Sequence, residues 1–101
     1  MSLIRKLYEK ECIKTGCFQL RNGDLSKYYI DMKHLISYPS LLSEVGDELY
    51  KLIDTNNCDL ICGVPIGGLP IATYISTKYN IPMIIPRDKP KEYGMCKQIE
   101  G

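Results

Sequence analysis

The spacing of apolar residues divides the chain into segments of two different periods. Leu3, Ile4, Leu7 and Tyr8 recur at helical spacing, which predicts an amphipathic helix over residues 2 to about 14, with Thr15 and Gly16 as its stop. Residues 17–21 and 27–32 are instead rich in β-branched, aromatic and other apolar side chains. Between them Asn22-Gly23-Asp24 carries strong turn chemistry, so the two runs predict an antiparallel hairpin. Polar groups mark its ends, Arg21 before the turn and Asp31 and Lys33 after it. Beyond Pro39 the helical period returns in Leu41, Leu42, Val45, Leu49, Leu52 and Ile53, predicting a helix of about four turns that ends near Asn56 and Asn57.

The stretch from Asp59 to Pro70, DLICGVPIGGLP, reads as strand, tight loop and helix. Gly63, Gly67 and Gly68 permit backbone angles closed to other residues and close approach of a ligand to the main chain. The next helix, over residues 69–79 with Pro70 in its first turn, would aim unpaired N–H groups at an anion. The loop is neither a Walker loop, having no Gly-Lys-Ser/Thr, nor a dinucleotide fingerprint, whose glycines are spaced differently. Asn80 and Pro82 end the helix, and Met83, Ile84 and Ile85 form a short apolar run of the kind buried on both faces of a sheet. Residues 60–85 therefore predict a parallel βαβ unit, whose ligands bind beyond the carboxyl ends of the strands. One such end is the glycine loop. The other is PRDKPKEYG, residues 86–94, where Arg87, Lys89 and Lys91 can gather a phosphate-rich ligand. Taken singly, the first also fits an ordinary strand-to-helix turn and the second a solvated loop. Residues 95–99 can begin another strand, and a two-stranded parallel sheet is incomplete without further strands and a second helical layer.

Composition narrows the classes. The chain has 101 residues, 45% of them hydrophobic, which suits a single small soluble domain. Thirteen basic and twelve acidic side chains give a formal charge of +1, so bulk electrostatics point neither to nucleic acid nor to an anionic membrane. No apolar run approaches the roughly 20 residues of a membrane helix and no signal-peptide pattern opens the chain, so the reading is cytoplasmic. Cys12, Cys17, Cys58, Cys62 and Cys96 form no C-x-x-C pair, and with His34 the one histidine, no protein metal site is expected. Free thiols are the expectation. His34 reads as a surface or hydrogen-bonded side chain rather than a base. Tyr8, Tyr50, Tyr74 and Tyr79 read as amphipathic packing with solvated hydroxyls.

Four blocks in order, GCFQLRNGDLSKYYIDMK (residues 16–33), SYPSLL (37–42), CGVPIGGLPIAT (62–73) and IPMIIPRDKPKEYGMCKQIEG (81–101), resemble orotate phosphoribosyltransferase, a type I phosphoribosyltransferase. They are most similar to the form fused to orotidylate decarboxylase in animals. The resemblance implies an α/β fold corresponding to the N-terminal half of the family's domain. Residues 1–101 would then be one partial domain: a helix and hood hairpin over 1–36, then over 37–101 the start of a parallel βαβ core and a mobile basic loop, with the C-terminal half of the sheet missing. The implied reaction transfers phosphoribosyl from 5-phosphoribosyl 1-diphosphate to orotate, giving orotidine 5′-monophosphate in UMP biosynthesis.

Carried over by position, the diphosphate-binding residues are Arg21, Ile66, Gly67, Arg87, Lys89, Lys91 and Tyr93. Arg87 and Lys91 would act catalytically, reaching across a dimer interface, and Tyr29 and Ile30 would hold orotate. Ile66 and Gly67 stand where bacterial members have Tyr-Lys, Arg21 where the family has lysine, and Asp88 where it usually has lysine, with Lys89 as the nearest replacement. Mg²⁺ is implied, carried by the substrate diphosphate without protein ligands in this chain. The family's acidic phosphoribosyl-diphosphate motif and its carboxylate-binding arginine lie beyond residue 101, so activity is expected only with a larger or split enzyme. The chain would thus be a homodimer or pair with a second half. The competing readings are a non-catalytic remnant or dimerisation partner of a full-length transferase, and a regulator on the same fold.

Overall fold

The computed structural model describes residues 1–89, 92–94 and 98–101. Helix α1 spans Leu3–Glu9, and the Ser2 hydroxyl caps it by accepting the Arg5 N–H at 3.2 Å. It stops earlier than its expected end near residue 14. The positions that would extend its apolar face are Lys10, Glu11 and Lys14, so a longer helix would bury nothing more. Glu11 turns the chain at φ 61°, and the Cys12 N–H donates back to the Leu7 carbonyl at 2.9 Å. Strand β1 (Ile13–Gln19) then pairs antiparallel with β2 (Leu25–Ile30), Ile13 facing Ile30 and Gln19 facing Leu25. Gly16, expected to stop a helix, instead lies in a bulge between Thr15 and Phe18. The Asn22-Gly23-Asp24 turn forms as expected. Leu20 N–H donates to the Asp24 carbonyl at 2.8 Å, Gly23 adopts φ 92°, and Arg21 falls within the turn rather than before it.

A 3-10 helix, Met32–Ser37, connects the hairpin to α2 (Pro39–Tyr50). Helix α2 begins at Pro39 as expected but ends a turn and a half short of Asn56. Leu52 is 81% exposed, and the Asp54 carboxylate draws the chain beyond it into a local turn by accepting Asn56 N–H at 3.1 Å and Asn57 Nδ2 at 2.6 Å. Leu7, Cys12, Leu35, Leu41 and Val45 form the core, with Met32, Tyr38 and Ile71 packed against it. One cluster thus ties α1 and the hairpin to α2 and to the first turn of the helix that carries Ile71.

The βαβ unit is present. Strand β3 (Ile61–Cys62) leads through the glycine loop into α3 (Gly68–Tyr79) and then into β4 (Met83–Pro86), which is parallel to β3 with Ile61 opposite Met83. Asn80, left-handed at φ 57°, closes α3. Strand β5 (Ile99–Glu100) runs antiparallel on the other side of β4, making β4 the centre of three strands. It carries only the end of the strand expected over residues 95–99; residues 95–97 lie outside the described residues. Strand β4 is half-buried throughout, contrary to the expectation that Met83–Ile85 would be buried on both faces. Among the described residues, α3 is the only helix that packs on β3 and β4.

Helices α2 and α3 lie close because Gly46 faces the Tyr74 ring, which a Cβ at that position would overlap. Asp47 Oδ1 accepts from the Tyr74 hydroxyl (2.8 Å), the Tyr79 hydroxyl (2.7 Å) and Lys78 Nζ (2.8 Å), while Tyr50 and Tyr79 stack at 3.5 Å. The hydroxyls of Tyr74 and Tyr79 are therefore bonded to protein, not solvated as expected.

Candidate functional site

The glycine loop lies at the carboxyl end of β3. None of Gly63, Gly67 and Gly68 has a positive φ; Gly67 has φ −67° and ψ −29°. They therefore do not use the unusual backbone angles expected of them, and at Gly63 the need is for room. A Cβ on buried Gly63 would meet Met83 Cε at 2.9 Å and Leu69 Cδ2 at 3.1 Å, so glycine is what lets α3 pack down on the sheet. The start of α3 also differs from expectation. Gly68 N–H donates to the Val64 carbonyl at 3.0 Å, Leu69 N–H to the Ile66 carbonyl at 3.3 Å, and Pro70 has no N–H. The helix entry thus uses its own donors, and the loop amides without a protein acceptor among the described residues include those of Ile66 and Gly67.

Strand β4 delivers the basic segment to the same end of the sheet. A cleft of about 570 Å³ lies between Pro65 of the glycine loop and Arg87, Asp88 and Lys89, with Ile85 and Pro86 as its floor and Glu100 at its edge. Arg87 is anchored there: its N–H donates to the Gln98 carbonyl at 2.7 Å and its Nε to Glu100 Oε1 at 2.9 Å. Lys89 is exposed, as is Tyr93. Lys91 lies outside the described residues.

The hairpin brings a third group. Tyr29 and Ile30 are exposed at the end of β2 nearest the 3-10 helix, and the Tyr29 ring lies 5.5 Å from that of Phe18. Arg21 stands at the opposite end of the hairpin, in the exposed turn. Lys33, just past Tyr29 and Ile30, approaches the glycine loop: its Cγ is 3.4 Å from where a Cβ on Gly67 would sit. The Lys33 ammonium pairs with Asp31 Oδ1 at 3.1 Å, an interaction that raises the lysine pKa and lowers that of the carboxyl. Asp31 also caps the 3-10 helix by accepting the Lys33 N–H at 3.1 Å. In the sequence these two are only polar groups after a hairpin; a cation just beyond the expected Tyr29-Ile30 pair is the signal available there.

His34 packs edge-on against Tyr38 at 5.4 Å. The cysteines among the described residues are free. Cys12 is buried, and burial pushes its thiol pKa up. No helix among the described residues is long and apolar enough to cross a membrane.

No family model matches the chain. Similarity to individual proteins is extensive. It is 40% identical over 102 residues to the uridine 5′-monophosphate synthase of Bos taurus, covering 99% of this chain and 21% of the bovine protein. It is 40% identical over 101 residues to the orotate phosphoribosyltransferase of Pyrococcus furiosus, covering 98% of this chain and 56% of that one. Among solved structures, the UMP synthase of Leishmania donovani superposes with a TM-score of 0.84 at 36% identity, over 98% of this chain and 21% of that chain. The chain thus spans about half the length of such a single-function relative and a fifth of the bifunctional ones. Sequence and fold together match nearly the whole of it to the N-terminal part of the orotate phosphoribosyltransferase domain, on a partial type I phosphoribosyltransferase fold.

Proposed function

We propose that this chain forms the diphosphate-facing half of an orotate phosphoribosyltransferase, joining orotate to the ribose of 5-phosphoribosyl 1-diphosphate as part of a larger or split enzyme in UMP biosynthesis. The observation that carries the reading is the cleft shared by the glycine loop and the basic segment at the carboxyl ends of β3 and β4. In such a transfer a bond forms between orotate N1 and ribose C1 while the bond from C1 to diphosphate breaks. Negative charge then grows on the leaving group. The amides of Ile66 and Gly67, with Arg87, Lys89 and Lys91, are the groups we assign to that charge, with Tyr93 at the end of the loop. Arg21 is assigned to the sugar-diphosphate from the hairpin, and Tyr29 and Ile30 to packing the orotate ring.

Among the described residues no group of three or more His, Cys, Asp or Glu could hold a metal ion. We assign Mg²⁺ to the substrate diphosphate, on which it would arrive and where it would offset the leaving group's charge. We further assign the chain to the cytoplasm and to a homodimer, or to a complex with a polypeptide supplying the rest of the domain.

The test monitors orotate loss by ultraviolet absorbance, with 5-phosphoribosyl 1-diphosphate and Mg²⁺, for the chain mixed with a polypeptide corresponding to the remainder of its relatives' domain. Turnover is expected. Lys91→Ala should depress it by about 100-fold, the scale of removing one transition-state charge contact, and Lys51→Ala, an exposed residue just past α2 whose ammonium pairs with Glu48, should leave it unchanged. No orotate loss at enzyme concentrations well above trace would overturn the proposal, and equal effects of the two substitutions would overturn the loop assignment.

A further inference from the structure

The glycine loop, as an anion cradle, is short of charge. Residues 63–70 read GVPIGGLP and include no cation, and the entry of α3 spends the N–H groups of Gly68 and Leu69 on carbonyls of the loop itself. Arg87, across the cleft, is engaged with Glu100. One cation from another element does reach the loop. The stem of Lys33 passes Gly67, and its ammonium lies only Cδ and Cε beyond the atom in near contact. The side chain is 53% exposed, so its head is free to turn.

Its location is fixed by packing. Met32 and Leu35, on either side of Lys33 in the 3-10 helix, lodge in the same core as Ile71 in the first turn of α3. Lys33 and the glycine loop therefore cannot drift apart without opening that core. Asp31, meanwhile, holds the ammonium at 3.1 Å in an ion pair that an incoming oxyanion can replace.

We propose that Lys33 is the cation of the glycine loop, held in readiness by Asp31 and transferred to the diphosphate of a phosphoribosyl donor when that group enters beside Gly67. The proposal rests on the glycine loop being the diphosphate cradle. It adds a residue from the hairpin's exit to that site.

The test is calorimetric titration of the 101-residue chain with inorganic diphosphate at fixed ionic strength, with circular dichroism confirming that each variant is folded. Lys33→Met should weaken binding about tenfold, equivalent to one charge-assisted hydrogen bond, and Lys33→Arg should restore most of it. Asp31→Asn retains a capping side chain but releases the lysine, so it should bind diphosphate several-fold more tightly, which a purely structural role for the pair would not produce. Lys51→Met, another surface lysine in an ion pair, should bind as the unaltered chain does. If Gly67→Val abolishes binding while Lys33→Met matches the unaltered chain, the lysine assignment is overturned and the cradle stands. If the unaltered chain binds no diphosphate, the cradle itself is refuted and the lysine assignment falls with it.

Discussion

Asp47 shows how much one side chain can tie together and why such a tie is hidden in sequence. Its Oδ1 receives three donors from α3, the Tyr74 and Tyr79 hydroxyls and Lys78 Nζ. The bonds from Lys78, Tyr79 and Tyr74, in that order of weight, hold its pKa down to about 2, against a usual carboxylate value of 3.8. A depressed carboxyl pKa stabilises the fold fully above the unfolded value, and the contribution disappears as pH falls through the folded one. The melting temperature should therefore drop between about pH 4 and pH 2, and in Asp47→Asn that part of the acid limb should flatten, with a lower plateau at neutral pH. Thermal unfolding measured at half-unit pH steps checks this; identical acid limbs would show that the three donors contribute nothing. In the sequence, Tyr74 and Tyr79 read as amphipathic residues with solvated hydroxyls, because their partner lies on another helix some 30 positions away. Lys33 is equally opaque: its chemistry is visible, but its approach to Gly67 depends on how the 3-10 helix and α3 share a core.

Elements with a strong local signal are readable, and those settled by competition are not. The Asn22-Gly23-Asp24 turn, the Pro39 start of α2 and the Asn80 close of α3 all carry residue types whose backbone preferences leave few alternatives. The boundary between α1 and β1 turns on something weaker, whether Lys10 to Lys14 extend a helix or begin a strand, and pairing with β2 decides it. Gly46 is the same lesson in a helix interior. Local propensity alone says that alanine there would stabilise α2 by about 1 kcal/mol. The Tyr74 ring occupies the space a Cβ needs, and overpacking costs typically about 1–3 kcal/mol. Gly46→Ala should accordingly lower stability by up to about 2 kcal/mol, read from the midpoint of a urea unfolding curve with unchanged slope. A stabilised variant would mean that the helices separate at little cost.

At the scale of the whole molecule, apolar patterning describes what the sheet requires, while this chain supplies only part of it. The run Met83–Ile85 is readable as a strand for burial on both faces, yet β4 is half-buried, with α3 the one helix packed on it among the described residues. The glycine loop and basic segment are legible at one end of the sheet, because parallel βαβ topology puts both there. The same arrangement leaves an apolar groove of about 410 Å³ beside β3, lined by Leu49, Leu52, Ile53, Ile61 and Ile75, with Leu52 the most exposed of them. Contiguous apolar surface of this kind binds amphiphilic dyes and partner surfaces, whereas scattered single residues do not. The folded chain at neutral pH should therefore enhance the fluorescence of anilinonaphthalene sulfonate while keeping a cooperative thermal transition, which separates a native groove from a molten state. Leu52→Lys should cut the enhancement by half or more, and it should shift stability by no more than about 0.5 kcal/mol, as expected of a solvent-facing site. Dye binding that survives this substitution, or that appears only after the transition, would show that the groove is closed in solution and that β3 and β4 are better covered than their half-buried side chains indicate.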